Sequence, residues 1–267
     1  VYCMAEAPDG KIYVGGSFTD AGGVAAADKL ARWNPVSETW ESVVAGIGSF
    51  IYCMAFDANG DLYIGGAFTD LGSAAGDRIA KITDLSGTPT VNVMGTGLTG
   101  IANTIAVSAD GDVYVGGNVA SAGGAAGTSY IAKWNGTSWS ALATGLDGTV
   151  MSMAFAPNGD LYIGGSFPDL DSGSGKYLTY WDGSAFNPVG TVELSGGTPA
   201  IIIRSIVFDA KGSLIVGGNF TNAGGVANAD YIAKWNGSVW EALGSGLNAN
   251  AHKIVVNSGK VYVGGTF

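Results

Sequence analysis

A phrase built on paired glycines recurs six times along the chain, as KIYVGGSFTD, DLYIGGAFTD, DVYVGGNVAS, DLYIGGSFPD, SLIVGGNFTN and KVYVGGTF. The first glycines are Gly15, Gly65, Gly116, Gly164, Gly217 and Gly264, so successive copies lie 50, 51, 48, 53 and 47 residues apart. A period near fifty marks a repeat architecture, in which each unit is one supersecondary element that buries its apolar face against its neighbours. Before each copy lies an apolar segment and a turn, from CMAEAPDG to IVVNSG. After five of the six come a glycine-rich loop, a short strand and a tryptophan strand, best kept in IAKWNGTSWSAL from Ile131 and IAKWNGSVWEAL from Ile232.

Each unit reads as two hairpins, hence four strands. The first hairpin turns at Asp9-Gly10, Asn59-Gly60, Asp110-Gly111, Asn158-Gly159 or Lys211-Gly212, the second at Asn135-Gly136, Asp182-Gly183 and Asn236-Gly237. Asn-Gly and Asp-Gly supply the positive φ angles that tight hairpins require. Val, Ile, Tyr, Phe and Trp fill the strands, and no convincing helical period interrupts them. Ile12, Tyr13 and Val14 are apolar on both faces of the second strand, which therefore needs packing partners on both sides. Four-stranded sheets stacked radially meet that demand and leave few open edges. The expected fold is therefore an all-β β-propeller with four-stranded blades of about 50 residues. Six first hairpins and five second hairpins give 22 strands, and six blades are preferred to five. The expected organisation is a single domain over 1–267, with repeats near 1–50, 51–100, 101–149, 150–200 and 201–251 and a partial copy at 252–267. With no initiator Met and an end inside the repeated phrase, the sequence reads as a piece of a longer chain.

Composition narrows the function. An apolar fraction of 47% excludes simple disorder, and 45 glycines without a three-residue period exclude collagen. Twelve Lys and Arg against 22 Asp and Glu leave a net charge of −10, which argues against nucleic acid or an anionic membrane as partner. No apolar run reaches the roughly 18–20 residues of a membrane helix.

IYVGGSFTDAGG and IAKWNGTSWSALATGL resemble the repeats of delta-60-repeat and Rax2-like proteins, and the resemblance covers essentially the whole chain. It implies an extracellular, cell-surface or virion-associated propeller, phage included. It does not imply a site, because the matching residues are turns, glycines and core aromatics. Repeat two departs from the pattern with Ile82 and TDLSGTPTVNV, and repeat four has Phe186 in place of its second Trp.

Chemistry-bearing residues are sparse. The sole histidine, His252, sits in a variable column with Tyr2, Tyr52, Asn103 and Met151, a poor position for a catalytic base. Cys3 and Cys53 occupy equivalent positions in two repeats, which suits packed strand residues better than a bridge. Neither a zinc site nor any other metal or cofactor is expected. A carboxylate-clamping arginine set fails, because only Arg32, Arg78 and Arg204 exist and Arg32 aligns with Lys81, Lys133 and Lys234. Asp20, Asp70 and Asp169 could pair as glycosidase carboxylates, although turn chemistry explains their recurrence better. The run from Asp57 to Asp61 resembles the opening of a calcium loop but lacks the later glutamate, so it reads as a hairpin turn. Sequons at Asn135, Asn219 and Asn236 bear on function only in a secreted eukaryotic protein.

Three functions follow in order of preference. The first is a non-catalytic surface module for protein assembly or attachment, with a protein in a larger assembly or a surface glycan as its partner. The second is a lectin with repeated weak sites, in which Trp134, Asn135, Trp139, Trp235, Asn236 and Trp240 would contact sugar. The third is a glycan-processing enzyme using loop carboxylates. Against the lectin stands core packing, since indole rings fill the space between sheets and their N–H groups find carbonyls.

Overall fold

The computed structural model of the chain describes residues 1–71, 77–167, 177–190 and 201–267, and these contain 22 strands. They fall into two compact units, Val1–Gly145 and Leu146–Phe267.

The first unit holds three antiparallel meanders. They are β1 (Cys3–Glu6), β2 (Ile12–Gly15), β3 (Leu30–Asn34) and β4 (Thr39–Ser42); β5 (Ile51–Phe56), β6 (Leu62–Gly66), β7 (Ile79–Thr83) and β8 (Thr90–Val93); and β9 (Leu98–Val107), β10 (Val113–Ala122), β11 (Ile131–Trp134) and β12 (Trp139–Ser140). The second unit holds β13 (Val150–Phe155), β14 (Leu161–Gly165), β15 (Leu178–Trp181) and β16 (Phe186–Pro188); then β17 (Ile202–Phe208), β18 (Leu214–Asn219), β19 (Ile232–Trp235) and β20 (Trp240–Ala242); and finally the hairpin β21 (Ala251–Asn257) and β22 (Lys260–Gly265). Every sheet follows sequence order, as expected from short hairpin connections.

The recurrent Gly-Gly phrase now has a mechanical cause. In β6, a Cβ on Gly65 would lie 2.7 Å from Sγ of its ladder partner Cys53 and 2.9 Å from Ala102 Cβ on β9, so the bare backbone admits a side chain of the next sheet. Gly66 meets its own sheet, because a Cβ there would come within 2.1 Å of the Phe50 carbonyl oxygen. That approach accompanies a β-bulge between Ile51 and Cys53, where Tyr52 is left unpaired. Bulges recur at the same place around Met151, Arg204 and His252. Such extra residues bend a strand and redirect one side chain out of the ladder.

Adjacent sheets within a unit are also tied by the small residue that follows each bulge. Cys53 Sγ lies 3.7 Å from the Ala102 carbonyl. Ser152 Oγ accepts from the Ile206 N–H at 3.0 Å, and Ser205 Oγ accepts from the Ile254 N–H at 3.0 Å. Cys53 is buried and Cys3 half-buried, both as thiols. The core of each unit is built of apolar clusters: Ile51, Leu62, Ile64, Phe68, Ile79 and Ile82 are fully covered in the first unit, and so are Leu178, Ile203, Val216 and Phe220 in the second.

Candidate functional site

The tryptophan hairpins are the first place to look, and their geometry is set locally. Trp134 stands opposite Trp139 across β11 and β12, with ring centroids 5.3 Å apart, and Trp235 stands opposite Trp240 at 5.4 Å. Trp33 and Trp40 repeat the pairing at 5.4 Å, and Trp181 meets Phe186 at 5.0 Å. In the second sheet Ile82 faces Val91, so the same strand pair forms without an indole. Trp134 and Trp139 are each 8% exposed, Trp240 6%, and Trp235 is half-buried. Trp139 Nε1 donates to the Met94 carbonyl at 2.8 Å, whereas Trp240 Nε1 finds no acceptor among the described residues.

The glycine-rich loop seats the second tryptophan of each pair. A Cβ on Gly22 would stand 2.4 Å from Trp40 Cδ1, one on Gly123 2.5 Å from Trp139 Cδ1, and one on Gly224 2.4 Å from Trp240 Cδ1. All three glycines also have φ near +60°, where a side chain is strained. Loop and indole therefore form one packed device.

Asn135 and Asn236 are exposed, and each serves its own turn. Asn135 Oδ1 accepts from the Thr137 and Ser138 N–H groups at 3.0 and 2.9 Å. Asn236 Oδ1 accepts from those of Ser238 and Val239, both at 3.0 Å. Asp182 does the same for Ser184 and Ala185, and bonds from the Ser184 hydroxyl and these amides hold its carboxyl well below the usual range. Asn135→Ala is expected to lower stability by about 1 kcal/mol through loss of this Asx turn, checked by urea unfolding against the parent chain.

Carboxylates and cations pair repeat by repeat. Lys81 Nζ lies 2.8 Å from Asp61 and 3.4 Å from Asp57, and 5.2 Å from the Tyr63 ring centroid. Burial alone would pull the Lys81 ammonium down, but hydrogen bonds to Asp61 and Tyr63 outweigh it and hold the group above the ordinary lysine value. Lys133 bonds Asp112 at 2.5 Å and Lys234 bonds Asp209 at 2.8 Å, the latter contact holding Asp209 below the usual carboxylate range. Arg32 bonds Glu41 at 2.5 Å and Tyr13 Oη at 3.2 Å, and reaches the Leu85 carbonyl on the second sheet. The calcium-like run is thus a turn: Asp57 Oδ1 accepts from the Asn59 and Asp61 N–H groups, and Lys81 answers its charge.

Between the first two sheets, at their hairpin-turn ends, lies a cleft of about 410 Å³. Pro8, Asp9, Tyr13, Asn59, Asp61 and Asp84 contribute to its lining. Asp9 is engaged by Lys11 at 3.2 Å and Asp61 by Lys81, whereas Asp84 accepts from the Thr83 hydroxyl at 3.2 Å and joins no ion pair among the described residues. Asp20 and Asp70 lie elsewhere, in left-handed conformation, where their backbone N–H groups donate to Asp28 and Asp77. Asp169 falls outside the described residues. No group of three or more His, Cys, Asp or Glu poised for a metal occurs among the described residues.

A family model described as a domain of unknown function (DUF5122) beta-propeller matches residues 7–35. Similar solved structures extend the match over nearly the whole chain. One is the extracellular domain of a hybrid two-component system from B. thetaiotaomicron, at TM-score 0.65 and 11% identity, covering 98% of this chain and 31% of that one. The fold is a β-propeller. The present propeller also resembles virginiamycin B lyase from Staphylococcus aureus, at TM-score 0.58 and 14% identity over 98% of this chain and 75% of that one. A third is PorZ, a bacterial surface component of the type-IX secretion system of Porphyromonas gingivalis, at TM-score 0.60 and 15% identity over 97% of this chain and 36% of that one. The propeller thus spans about a third of the length of two of these three chains. No curated protein matches it. Among the described residues, five four-stranded sheets and one two-stranded sheet agree with the tally of 22 strands expected from the repeats.

Proposed function

We propose that this propeller is a non-catalytic module of the cell exterior, akin to the delta-60 and Rax2-like repeat proteins, that presents its loops for protein assembly or attachment. One observation carries the proposal: the recurrent polar residues are engaged internally. Asn135 and Asn236 close turns, and Lys81, Lys133 and Lys234 answer carboxylates. The buried indoles of Trp134, Trp139 and Trp240 leave little face for a sugar ring. An extracellular domain and a secretion-system surface component among the similar structures support the location. Virginiamycin B lyase shares the architecture alone, and fold does not assign chemistry.

The test is a glycan array probed with the folded chain and a heat-unfolded sample, together with chemical cross-linking on intact producing cells. The expected result is silence across the array and a cross-linked protein partner at the cell exterior. Reproducible binding by the folded sample that disappears in Asn135→Ala or Asn236→Ala would instead make the chain a lectin.

A further inference from the structure

The second strand of each sheet carries the Gly-Gly phrase, and in five of the six sheets it pairs with a third strand in one register. Its first glycine faces Leu30, Ile79, Ile131, Leu178 or Ile232, and the residue three places earlier faces a tryptophan or, in the second sheet, Ile82. In β22 the same phrase runs from Val261 to Gly264, yet β21 is its one ladder partner among the described residues. In β18 the Gly218 N–H donates to the Tyr231 carbonyl, just before the third strand. By strand alternation, the N–H groups of Gly265, Val263 and Val261 point to the corresponding edge of β22. Tyr13, Tyr63 and Tyr114 are 1%, 4% and 8% exposed beside their third strands, whereas Tyr262 is 55% exposed.

The ends of the fourth strands point to what fits that edge. Gly95 and Gly190 each follow a fourth strand, with φ of +63° and +62°, and each seats the first tryptophan of the next sheet. A Cβ on Gly95 would lie 3.4 Å from Trp134 Cζ3, and one on Gly190 2.5 Å from Trp235 Cη2. Gly244 holds the same place after β20, at φ +61°, with nothing within 4 Å of its Cβ position among the described residues. Beside it Leu243 and Leu247 are half-buried, whereas Met94 and Leu98 in the same columns are each 1% exposed. Leu243, Leu247, Val261 and Val263 share one apolar cluster, so a tryptophan opposite Val261 would lie over Gly244 as Trp235 lies over Gly190.

Charge sets the remaining position. The residue facing the tyrosine of the phrase is Lys81 or Lys133 where Asp61 or Asp112 ends the first turn, at 2.8 and 2.5 Å. At β22 that turn residue is Lys260, and residues 251–265 contain no carboxylate. Lys11 holds the place in the first sheet, but there Asp9 answers Lys11 and Glu41 answers Arg32. A carboxylate facing Tyr262 therefore suits Lys260 better than a cation, because opposite charges on neighbouring strands attract.

We infer that the outer edge of β22 docks an extended strand of a partner protein that reads aliphatic, small, acidic, tryptophan. It adds antiparallel, with its aliphatic residue opposite Gly264 and its tryptophan over Gly244. Backbone hydrogen bonds of strand addition supply affinity, and the side-chain seats supply specificity. The inference rests on the protein-assembly reading and names the chemistry of one partner segment.

The test titrates the full chain with a fluorescein-labelled peptide of residues 231–243 carrying Lys234→Glu, read by anisotropy. A control peptide also carries Ile232→Ser and Trp235→Ser. The first is expected to bind and the control not to bind. The peptide that keeps Lys234 is expected to bind severalfold more weakly, by a margin that shrinks as salt rises. In the chain, Gly244→Ala fills the tryptophan seat and is expected to weaken binding about tenfold. Its fold is secure, because Ala143 adopts the left-handed conformation in the same column at φ +47°. Val261→Pro removes an outward N–H from an edge strand and is expected to abolish binding. No binding at about 100 μM peptide, equal binding of the control, or unchanged affinity in either variant would overturn the docking site. Equal affinity of the lysine and glutamate peptides would overturn the acidic position. A chain dimer in sedimentation that the peptide does not disperse would reassign the edge to a second copy. Failure of the peptide leaves the cross-linking on cells and the glycan array untouched, so the two proposals fail separately.

Discussion

Trp139→Ala is expected to lower the unfolding free energy by about 3–5 kcal/mol, the range for removing a large aromatic side chain from a packed core. Three contacts converge on this indole. Its ring faces Trp134 across the hairpin at 5.3 Å, its Nε1 donates to Met94 on the preceding sheet's side, and Gly123 presses a bare Cα against Cδ1. Truncation opens a cavity, removes one of the two hydrogen bonds to the Met94 carbonyl, which keeps that from the Gly97 N–H, and takes away the seat of the glycine loop at once. Trp240→Ala is expected to cost less, because its Nε1 makes no hydrogen bond among the described residues that the truncation could remove. Guanidinium unfolding of both variants measures the difference. A Trp139 variant as stable as the parent would show that the indole packs loosely, and would return it to consideration as an exposed platform.

Much of the fold was legible in local sequence. Hairpin positions followed from Asn-Gly and Asp-Gly dipeptides because positive φ selects those residues, and Gly60, Gly136 and Gly237 have φ of +82°, +95° and +97°. The departure of repeat two was legible as well, since Ile82 and Val91 pair where other blades carry aromatics. Less visible were conformations adopted by residues without a glycine signal. Lys29, Arg78, Tyr130, Tyr177 and Tyr231 each precede a third strand with φ between +61° and +64°. In each case the backbone N–H donates to the residue in the Phe18, Phe68, Val119, Phe167 and Phe220 column. Tertiary contacts hold these left-handed residues, and a lysine, an arginine and three tyrosines carry no glycine or asparagine signal for local sequence to register. The Trp columns were legible as residues, but their glycine seats required the loop to be folded back over the hairpin. Arg204 was visible as one of three arginines and His252 as the sole histidine, yet the bulges that leave both out of their ladders are announced by no local pattern.

Gly164→Ala is the second substitution with a large expected effect, about 1–3 kcal/mol from overpacking. Its Cβ would fall 2.4 Å from Ile203 Cγ2 and 2.8 Å from Ile206 Cδ1, both on the first strand of the next blade, and both isoleucines are buried. Neither side chain can yield without disturbing Leu178 and Val216 in the same core. Gly264 offers a matched control in the same chain. It holds the equivalent position in β22, has nothing within 4 Å of its would-be Cβ, and needs no positive φ. Alanine at 264 is therefore expected to be neutral or slightly stabilising, because it restricts the unfolded chain.

The pair tests directly whether the repeated glycine exists to let one blade stack upon the next. The measurement is the difference in urea midpoint between Gly164→Ala and Gly264→Ala, each against the parent chain. A clear loss at 164 with none at 264 is the expected result. Equal midpoints for the two variants would contradict it, and would mean that the Gly-Gly phrase serves the strand itself and not the contact between blades.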